Sequence, residues 1–240
     1  MRTGSERNFE TQLWAAIQGS KSNAVDQFRN FPLYTPRQDL TRFLVRHELF
    51  KQVLEVHGSI VECGVYQGGG LLAWSHLSAI MEPYNHTRRV IGFDTFKGFP
   101  SVSQADGVGH EVGDLASNSY DEVLQLAGLH DSNRPNGHIP KVELVRGNAV
   151  DTIPEYVKSN PHLLVSLLYL DFDLYEPTAR ALTSFLPRMP RGSILAFDEA
   201  GMKEWPGETK ALLEFIGPSG SQRLELKRHS WQSTISYAVL

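Results

Sequence analysis

The chain has 240 residues, of which 41% are hydrophobic, 21% are charged and 10% are aromatic. A chain of this length and composition can bury one sizeable core, so a single globular domain is the default expectation. The formal net charge of −4 includes no long run of one sign. This charge pattern argues against a nucleic-acid or anionic-membrane partner and favours a small-molecule partner.

Cysteine content and the N-terminal sequence indicate the compartment. The single cysteine, Cys63, excludes an intrachain disulfide and a paired-cysteine zinc site. The first residues lack the apolar core of a signal peptide, and no window approaches the roughly 20 apolar residues of a membrane-spanning helix. These features predict a cytoplasmic protein without a membrane partner. The sequence leaves open whether the chain forms a homo-oligomer.

The first part of the chain has a helical pattern. Apolar residues recur at near-helical spacing over residues 9–17, the segment NFPLYTPRQ interrupts the pattern, and apolar residues resume it over 40–50. We therefore predict that residues 1–58 form a helical extension that packs on a core made by residues 59–240.

From residue 60 onward, short apolar runs alternate with helical segments. Strands are predicted at 60–65, 89–94, 142–146, 166–171 and 193–198, and helices near 69–82, 117–129, 152–159, 176–187 and 207–216. The apolar runs do not alternate in polarity, as expected of strands that are covered on both faces. This pattern predicts an α/β fold with a doubly wound, mostly parallel sheet. Two period-2 segments near the end, RLELKR and STISYAVL, predict a closing antiparallel hairpin.

The stretch VECGVYQGGG, residues 61–70, combines the end of a strand with a glycine-rich turn. In a parallel sheet, ligands bind at the carboxyl ends of strands, where glycines let the backbone approach and a following helix presents free N–H groups. The spacing is not GxGxxG, because Tyr66 stands where a dinucleotide fingerprint has a glycine. Glu62 needs a positive partner, which a cationic ligand group would supply. The alternative is a tight turn whose glycines only allow strand and helix to pack closely.

Acidic residues follow three further predicted strands. Asp94 ends the second strand, where a carboxylate can accept both hydroxyl protons of a ribose; a turn or N-cap aspartate is the alternative. Asp171 and Asp173 lie at the end of the fourth predicted strand, and Asp198 and Glu199 lie at the end of the fifth. Such carboxylates repel one another unless a cation or shared protons neutralise them. A hard divalent ion such as Mg²⁺ is therefore predicted at this edge.

The longest weakly patterned stretch, residues 101–119, is polar and contains glycines. It predicts a mobile loop, with a lid over a site as the alternative. The nine histidines show no HxxxH or HExxH spacing, and only His110, in this stretch, is a candidate acceptor contact. Trp205 and Pro206 predict the turn before a helix, and Trp205 or Tyr66 could line an acceptor pocket.

Four segments, taken in order, resemble the macrocin O-methyltransferase family, the TylF and MycF group of S-adenosylmethionine-dependent sugar O-methyltransferases. They are VECGVYQGGG, GFDTFKGFP, LDFDLYEPTARAL and FDEAGMKEWPGETKAL. The resemblance runs from about residue 40 to 216. It implies a class I methyltransferase (Rossmann-like) sheet preceded by N-terminal helices, with S-adenosyl-L-methionine (SAM) as the cofactor.

The resemblance also implies roles for individual residues. The methionine part of SAM would lie near Glu62 and Gly64, Asp94 would hold the ribose, and the adenine would lie near RGNAVDT. The implied cofactor-binding set is Glu62, Cys63, Gly64, Tyr66, Gly68, Gly69, Asp94, Gly147, Asn148 and Asp171. The implied Mg²⁺ ligands are Asp171, Asp198 and Glu199, the last being one methylene longer than the aspartate usual in the family. Asp171 is also the implied catalytic base.

The chemistry of methyl transfer agrees with such a site. Transfer from a sulfonium to a hydroxyl needs an in-line approach and a more nucleophilic oxygen, which a metal contact and a neighbouring carboxylate provide. The predicted acceptor is a sugar hydroxyl, on a glycosylated natural product or a nucleotide sugar. Two alternatives stay open. A nicotinamide-dependent oxidoreductase lacks support from the glycine spacing and the carboxylates, and a noncatalytic sugar-binding protein needs no clustered carboxylates.

Overall fold

The computed structural model describes residues 4–217, 224–232 and 234–240. Its contacts divide the chain into two compact units, Met1–Leu44 and Val45–Leu240. The division falls within a helix, whereas the sequence analysis places a boundary after residue 58. The role of residues 1–58 as an extension that packs on the core stays a prediction.

Helices make up the N-terminal part of the chain. They are α1 (Gly4–Gln18), α2 (Ala24–Arg29), α3 (Phe31–Tyr34) and α4 (Arg37–Gln52), of which α4 continues into the second unit. Helix α2 begins after Asn23, whose side chain accepts a hydrogen bond from the Asp26 N–H at 3.0 Å. The predicted interruption NFPLYTPRQ contains α3. Pro32 lies in the first turn of this short helix, where proline is tolerated.

Six strands in the described part of the second unit form one sheet in the order β3-β2-β1-β4-β5-β6. They are β1 (Ser59–Cys63), β2 (Val90–Asp94), β3 (Val142–Arg146), β4 (Val165–Leu170), β5 (Ile194–Phe197) and β6 (Ser236–Val239). The first five are parallel to one another, as predicted, with ends within two residues of the predicted ones. The order reverses between β1 and β4, so the carboxyl ends of these two strands flank the switch point at which such sheets bind ligands.

The five predicted helices of the core are confirmed. They are α5 (Gly69–Met81), α6 (Tyr120–Asp131), α7 (Ala149–Ser159), α8 (Tyr175–Phe185) and α9 (Pro206–Ile216). The largest boundary errors are at α6 and α7, each of which begins three residues from its predicted start. Helix α7 begins early because the Asn148 side chain caps it, accepting from the Val150 N–H at 3.1 Å.

The C-terminal segment differs in detail from the predicted hairpin. Strand β6 pairs antiparallel with β5 and closes the edge of the sheet. From the first hairpin segment, Lys227 alone among the described residues forms a bridge, exchanging backbone hydrogen bonds of 2.7 and 2.8 Å with Tyr237. Arg223 and Ser233, which the prediction includes, lie outside the described residues.

Both faces of the sheet are covered, which explains why the strand sequences do not alternate between apolar and polar residues. On β1, Ile60 packs in the cluster on one face, and Val61 and Cys63 pack in the cluster on the other. Every residue of this strand is buried. Within the described ranges, no helix combines the length and the apolar character required to cross a membrane. Cytoplasmic localisation and the lack of a nucleic-acid partner stay predictions.

Candidate active site

Two glycines of the turn after β1 are required by packing. Gly64 has a φ of 95°, and a Cβ at this position would lie 1.9 Å from the carbonyl oxygen of Asp171. Gly68 has a φ of 84°, and its Cβ would lie 2.6 Å from Val123 Cγ2. Only glycine adopts such φ values readily while leaving this space free. The turn therefore packs directly against the residue that follows β4, as the close-packing alternative proposes.

The last two glycines of the stretch differ from each other. A Cβ at Gly70 would lie 2.2 Å from Glu62 Oε1 and 2.5 Å from Arg46 Nη2, so this glycine makes room for a buried ion pair. A Cβ at Gly69 would meet no atom within 4 Å. Gly69 is exposed at the first turn of α5, where backbone N–H groups lack helical partners. Of these glycines, Gly69 is the one best placed to face a ligand.

Glu62 has a partner within the protein. Its Oε1 accepts a hydrogen bond from Arg46 Nη2 at 3.0 Å, and both side chains are buried. Arg46 therefore supplies the positive charge that the sequence analysis assigned to a ligand. Desolvation works against the charged guanidinium, but nearby anionic and polar groups, Glu62 among them, outweigh it and raise the pKa of Arg46. The role of Glu62 as a direct SAM ligand stays a prediction.

Asp94 fixes the turn after β1. Its Oδ2 accepts hydrogen bonds from the N–H groups of Val65 and Tyr66 at 2.7 and 2.8 Å. Its Oδ1 accepts from the Phe96 N–H at 2.6 Å. A carboxylate has about four acceptor sites, so these contacts leave about one for a ribose hydroxyl. The turn-aspartate alternative thus holds in this structure, and Asp94 can serve a ribose at the same time through one oxygen.

A cleft with a volume of about 540 Å³ opens next to this turn. Its walls include Thr95, which follows Asp94, and the predicted adenine residues Gly147 and Asn148. The Gly147 N–H donates to the Asp94 carbonyl oxygen at 2.9 Å, so the ends of β2 and β3 are held together. The structure thereby brings the predicted ribose and adenine residues to one place. Tyr66, 48% exposed, also lies at the open side of the turn.

The predicted acidic residues lie at adjacent strand ends. The Asp171 N–H donates to the Cys63 carbonyl at 2.8 Å, and the Asp198 N–H donates to the Leu170 carbonyl at 2.9 Å. These bonds continue the ladders from β1 to β4 and from β4 to β5. Asp198 is 4% exposed, and its Oδ1 accepts a hydrogen bond from the Tyr169 hydroxyl at 2.5 Å. Asp171 and Asp198 are thus brought together beside the glycine turn.

Glu208 is a further acidic residue that the sequence analysis did not select. It lies in the first turn of α9 with no exposed surface, and its Oε2 accepts from the Glu199 N–H at 3.3 Å. Burial raises the pKa of Glu208 well above its usual range, and the neighbouring carboxylates of Asp171, Asp173 and Asp198 raise it further. Acidic residues are common in the first turn of a helix, so the sequence carried no signal that this one is buried in the site.

The carboxylate oxygens of this cluster are the ligand type that Mg²⁺ prefers. In the part of the chain that the structure describes, however, no three acidic, histidine or cysteine side chains are arranged to hold a metal ion. Asp198 is hydrogen-bonded to Tyr169, and the backbone of Glu199 is bonded to Glu208. The donor chemistry fits the ion, but the predicted triad of Asp171, Asp198 and Glu199 is not preorganised. The Mg²⁺ site stays a prediction.

The segment 101–119 is attached to the carboxyl edge of the sheet. The Tyr175 N–H, at the start of α8, donates to the buried Asp106 carboxylate at 2.6 Å. His110 lies 3.0 Å from the Glu204 carbonyl oxygen through Nε2, and its ring stacks on Trp205 with centroids 4.0 Å apart. These contacts anchor the segment beside the starts of α8 and α9, and its role as a lid over a site stays a prediction. Trp205 directly precedes α9, as predicted.

The comparison with known proteins agrees with this geometry. The family model described as macrocin O-methyltransferase (TylF) matches residues 37–216. The chain belongs to the TylF family. The recognition made from the four sequence segments is therefore confirmed, and the matched region contains the glycine turn and all of the strand-end carboxylates described above.

Solved structures and a curated protein add detail to the TylF assignment. The crystal structure of CalS11, calicheamicin methyltransferase, has a TM-score of 0.93 and 32% identity, covering 100% of this chain and 94% of that chain. The apo structure of CalS11, TDP-rhamnose 3'-O-methyltransferase, has a TM-score of 0.85 and 30% identity, covering 100% and 96%. These matches confirm the predicted class I methyltransferase fold.

The curated relative is 8-demethyl-8-(2,3-dimethoxy-alpha-L-rhamnosyl)-tetracenomycin-C 4'-O-methyltransferase from Streptomyces olivaceus. It is 29% identical over 155 residues, which are 60% of this chain and 53% of that protein. The match thus spans about half the length of this relative. Like the TylF model, it connects the chain to O-methyltransferases.

Proposed function

We propose that the protein transfers the methyl group of SAM to a hydroxyl of a deoxysugar, carried by a glycosylated natural product or by a nucleotide. Membership of the TylF family supports methyl transfer. The names of similar proteins, which specify TDP-rhamnose and a rhamnosyl tetracenomycin, support a rhamnose-type acceptor. The observation that carries the proposal is the contact of Gly64 with Asp171, which sets the cofactor turn beside the acidic cluster at the switch point of the sheet.

In this proposal SAM lies across the ends of β1, β2 and β3. Asp94 accepts a hydrogen bond from one ribose hydroxyl, the adenine occupies the cleft beside Gly147 and Asn148, and the methionine part lies over Gly64 and Gly69. The methyl donor carries a positive sulfonium, and the product after transfer is neutral. The acidic residues next to the turn therefore favour binding of the donor over binding of the product.

The acceptor hydroxyl approaches from the side of β4 and β5. As its oxygen forms the new bond to the methyl carbon, the bond from carbon to sulfur breaks, and Asp171 takes the hydroxyl proton. We propose that Asp171, Asp198 and Glu199 hold Mg²⁺, which would orient the hydroxyl and lower its pKa. Chelation with EDTA followed by readdition of Mg²⁺ tests this last point. Full turnover in excess EDTA would contradict the metal assignment and leave methyl transfer intact.

Binding and turnover together test the proposed function. Calorimetry with SAM and with NAD distinguishes a methyltransferase from a nicotinamide-dependent oxidoreductase on the same sheet. Turnover with methyl-labelled SAM is then measured against TDP-rhamnose, a rhamnosyl natural product and free rhamnose. We expect SAM binding, no NAD binding, and label in at least one rhamnose-containing acceptor. Sugar binding without any label transfer would instead support a noncatalytic sugar-binding protein.

A further inference from the structure

We propose that Tyr169 is a positioning residue for methyl transfer: its hydroxyl fixes the orientation of the Asp198 carboxylate, and the buried pair of Arg46 and Glu62 fixes Tyr169. This inference rests on the proposed function, because the orientation of Asp198 affects turnover only if the acidic cluster receives the acceptor. Neither residue type nor spacing singles out Tyr169 in the sequence. It stands inside the apolar run of β4.

The hydrogen bond between Tyr169 and Asp198 is short and buried. The tyrosine is fully buried, Asp198 is 4% exposed, and the distance from the hydroxyl to Oδ1 is 2.5 Å. A tyrosine hydroxyl carries a proton at neutral pH and a carboxylate has only acceptor oxygens, so Tyr169 donates and Asp198 accepts. A hydrogen bond from a neutral donor to a carboxylate is among the stronger kinds in proteins.

The ring of Tyr169 is held by contacts with Arg46 and Trp74. The guanidinium carbon of Arg46 lies 4.6 Å from its centroid, which is a cation–π contact. The Trp74 ring meets it in an edge-to-face arrangement with centroids 5.8 Å apart. Glu62 fixes the guanidinium through its 3.0 Å hydrogen bond. Tyr169 therefore has little freedom to turn its hydroxyl away from Asp198.

This arrangement connects the two halves of the site. The absence of a side chain at Gly70 leaves the space that the ion pair fills, since a Cβ there would lie 2.2 Å from Glu62 Oε1. The contacts then run from Glu62 through Arg46 and Tyr169 to Asp198. Glu62 lies on β1, directly before the glycine turn, and Asp198 lies among the carboxylates at the ends of β4 and β5. The glycine stretch thus contributes to the acceptor side as well as to the turn.

The substitution Tyr169→Phe tests the proposal with little change in shape. Phenylalanine keeps the ring contacts and removes only the donor to Asp198. Loss of a hydrogen-bonding partner behind a site carboxylate typically costs about 10–100-fold in activity or metal affinity. We therefore expect kcat/KM for the acceptor to fall by about that factor, while the Kd of SAM stays within about twofold.

Tyr156→Phe is the matched control. Tyr156 lies on α7, and its ring contacts Phe93, in the cluster on the other face of the sheet. Removing the hydroxyl of Tyr156 should leave turnover unchanged. A purely structural role of Tyr169 would lower SAM affinity and turnover together. That result, or wild-type turnover in Tyr169→Phe, would overturn the proposal.

Two further measurements address Asp198 directly. If Tyr169 acts through Asp198, the double variant Tyr169→Phe/Asp198→Asn should be no slower than Asp198→Asn alone; additive losses would contradict the proposal. Crystal structures of the wild type and Tyr169→Phe should show a reoriented Asp198 carboxylate in the variant, and an unchanged carboxylate would also overturn it. Because the crystal comparison does not depend on turnover, it tests the effect of the Tyr169 hydroxyl on Asp198 even if no sugar acceptor is methylated, so failure of the inference is distinguishable from failure of the proposed function.

Discussion

The substitution Gly64→Ala perturbs the contact on which the proposed site depends. The new Cβ would lie 1.9 Å from the carbonyl oxygen of Asp171 and 2.7 Å from its carbonyl carbon. Neither atom can move without moving the backbone after β4. At a φ of 95°, alanine is also strained, by roughly 1–2 kcal/mol for a left-handed residue. Overpacking adds about 1–3 kcal/mol. The free energy of unfolding should therefore fall by about 2–5 kcal/mol.

Urea unfolding followed by circular dichroism measures this loss, and Gly69→Ala is its control. No atom lies within 4 Å of a Cβ at Gly69, and the residue opens α5. Alanine in a helix is favoured over glycine by up to about 1 kcal/mol, so this variant should be as stable as the wild type or slightly more stable. If the open surface at Gly69 faces SAM, the Kd of SAM for the Gly69→Ala variant should nevertheless rise by about tenfold, or about 1.4 kcal/mol.

The pair of variants separates the fold from the ligand. A Gly64→Ala protein with wild-type stability would refute the packing argument, because a Cβ so close to a backbone oxygen cannot be neutral. A Gly69→Ala protein that binds SAM as well as the wild type would remove Gly69 from the cofactor site. In that case the glycine stretch would serve packing alone.

Four substitutions and one labelling reaction test further residues. Asp94→Ala removes three hydrogen bonds from backbone N–H groups as well as the proposed ribose acceptor. The free energy of unfolding and the free energy of SAM binding should therefore each weaken by roughly 1–3 kcal/mol. Unchanged SAM affinity by calorimetry would contradict the ribose assignment. Asp171→Asn should reduce kcat by about a hundredfold or more with little change in SAM binding, and Asp173→Asn should reduce kcat by a smaller factor. A larger fall in kcat for Asp173→Asn than for Asp171→Asn would make Asp173 the base. The pKa of Glu208 is raised in the folded state, so its ionisation lowers the stability of the wild type as the pH rises above the pKa of an unfolded glutamate. Glutamine does not ionise, so Glu208→Gln lacks this loss. In EDTA, the Tm of Glu208→Gln should match that of the wild type near pH 4 and exceed it increasingly as the pH rises above the unfolded pKa, by about 2–4 °C for each kcal/mol; a pH-independent difference would contradict the pKa shift. Cys63 is fully buried, and this burial, together with acidic neighbours, raises the pKa of its thiol. A thiol reagent should therefore label Cys63 only when the protein unfolds. Rapid labelling of the native protein would contradict the burial of Cys63.

The sheet could be predicted from sequence because its strands are covered on both faces. The buried strand β5 is an unbroken apolar run, ILAF, and the polar residue Asp198 directly follows it and marks its carboxyl end. The pairing of β6 could not be predicted in the same way. Its alternation is visible in STISYAVL, but its partner, β5, lies some forty residues earlier, and a nearby hairpin fits the same alternation.

The acidic half of the site was predictable because Asp171 and Asp198 stand at strand ends. Arg46 and Glu208 were not, since a basic residue within a helix and an acidic residue in a first turn ordinarily face solvent. A weak signal for Arg46 existed in its apolar neighbours Val45 and Leu49, which are fully buried on α4. The burial of Arg46 and Glu208 depends on contacts between residues far apart in the chain, and local sequence does not encode those contacts.

The central claim is that the chain methylates a sugar, and one reaction tests it most directly. Purified protein is incubated with methyl-labelled SAM, Mg²⁺ and a rhamnose-containing acceptor, and the products are separated and analysed by mass spectrometry and NMR. The account predicts one labelled methyl group on a rhamnose oxygen, with one equivalent of demethylated cofactor formed per methyl transferred. SAM that binds but transfers no label to any rhamnose-containing acceptor would contradict it.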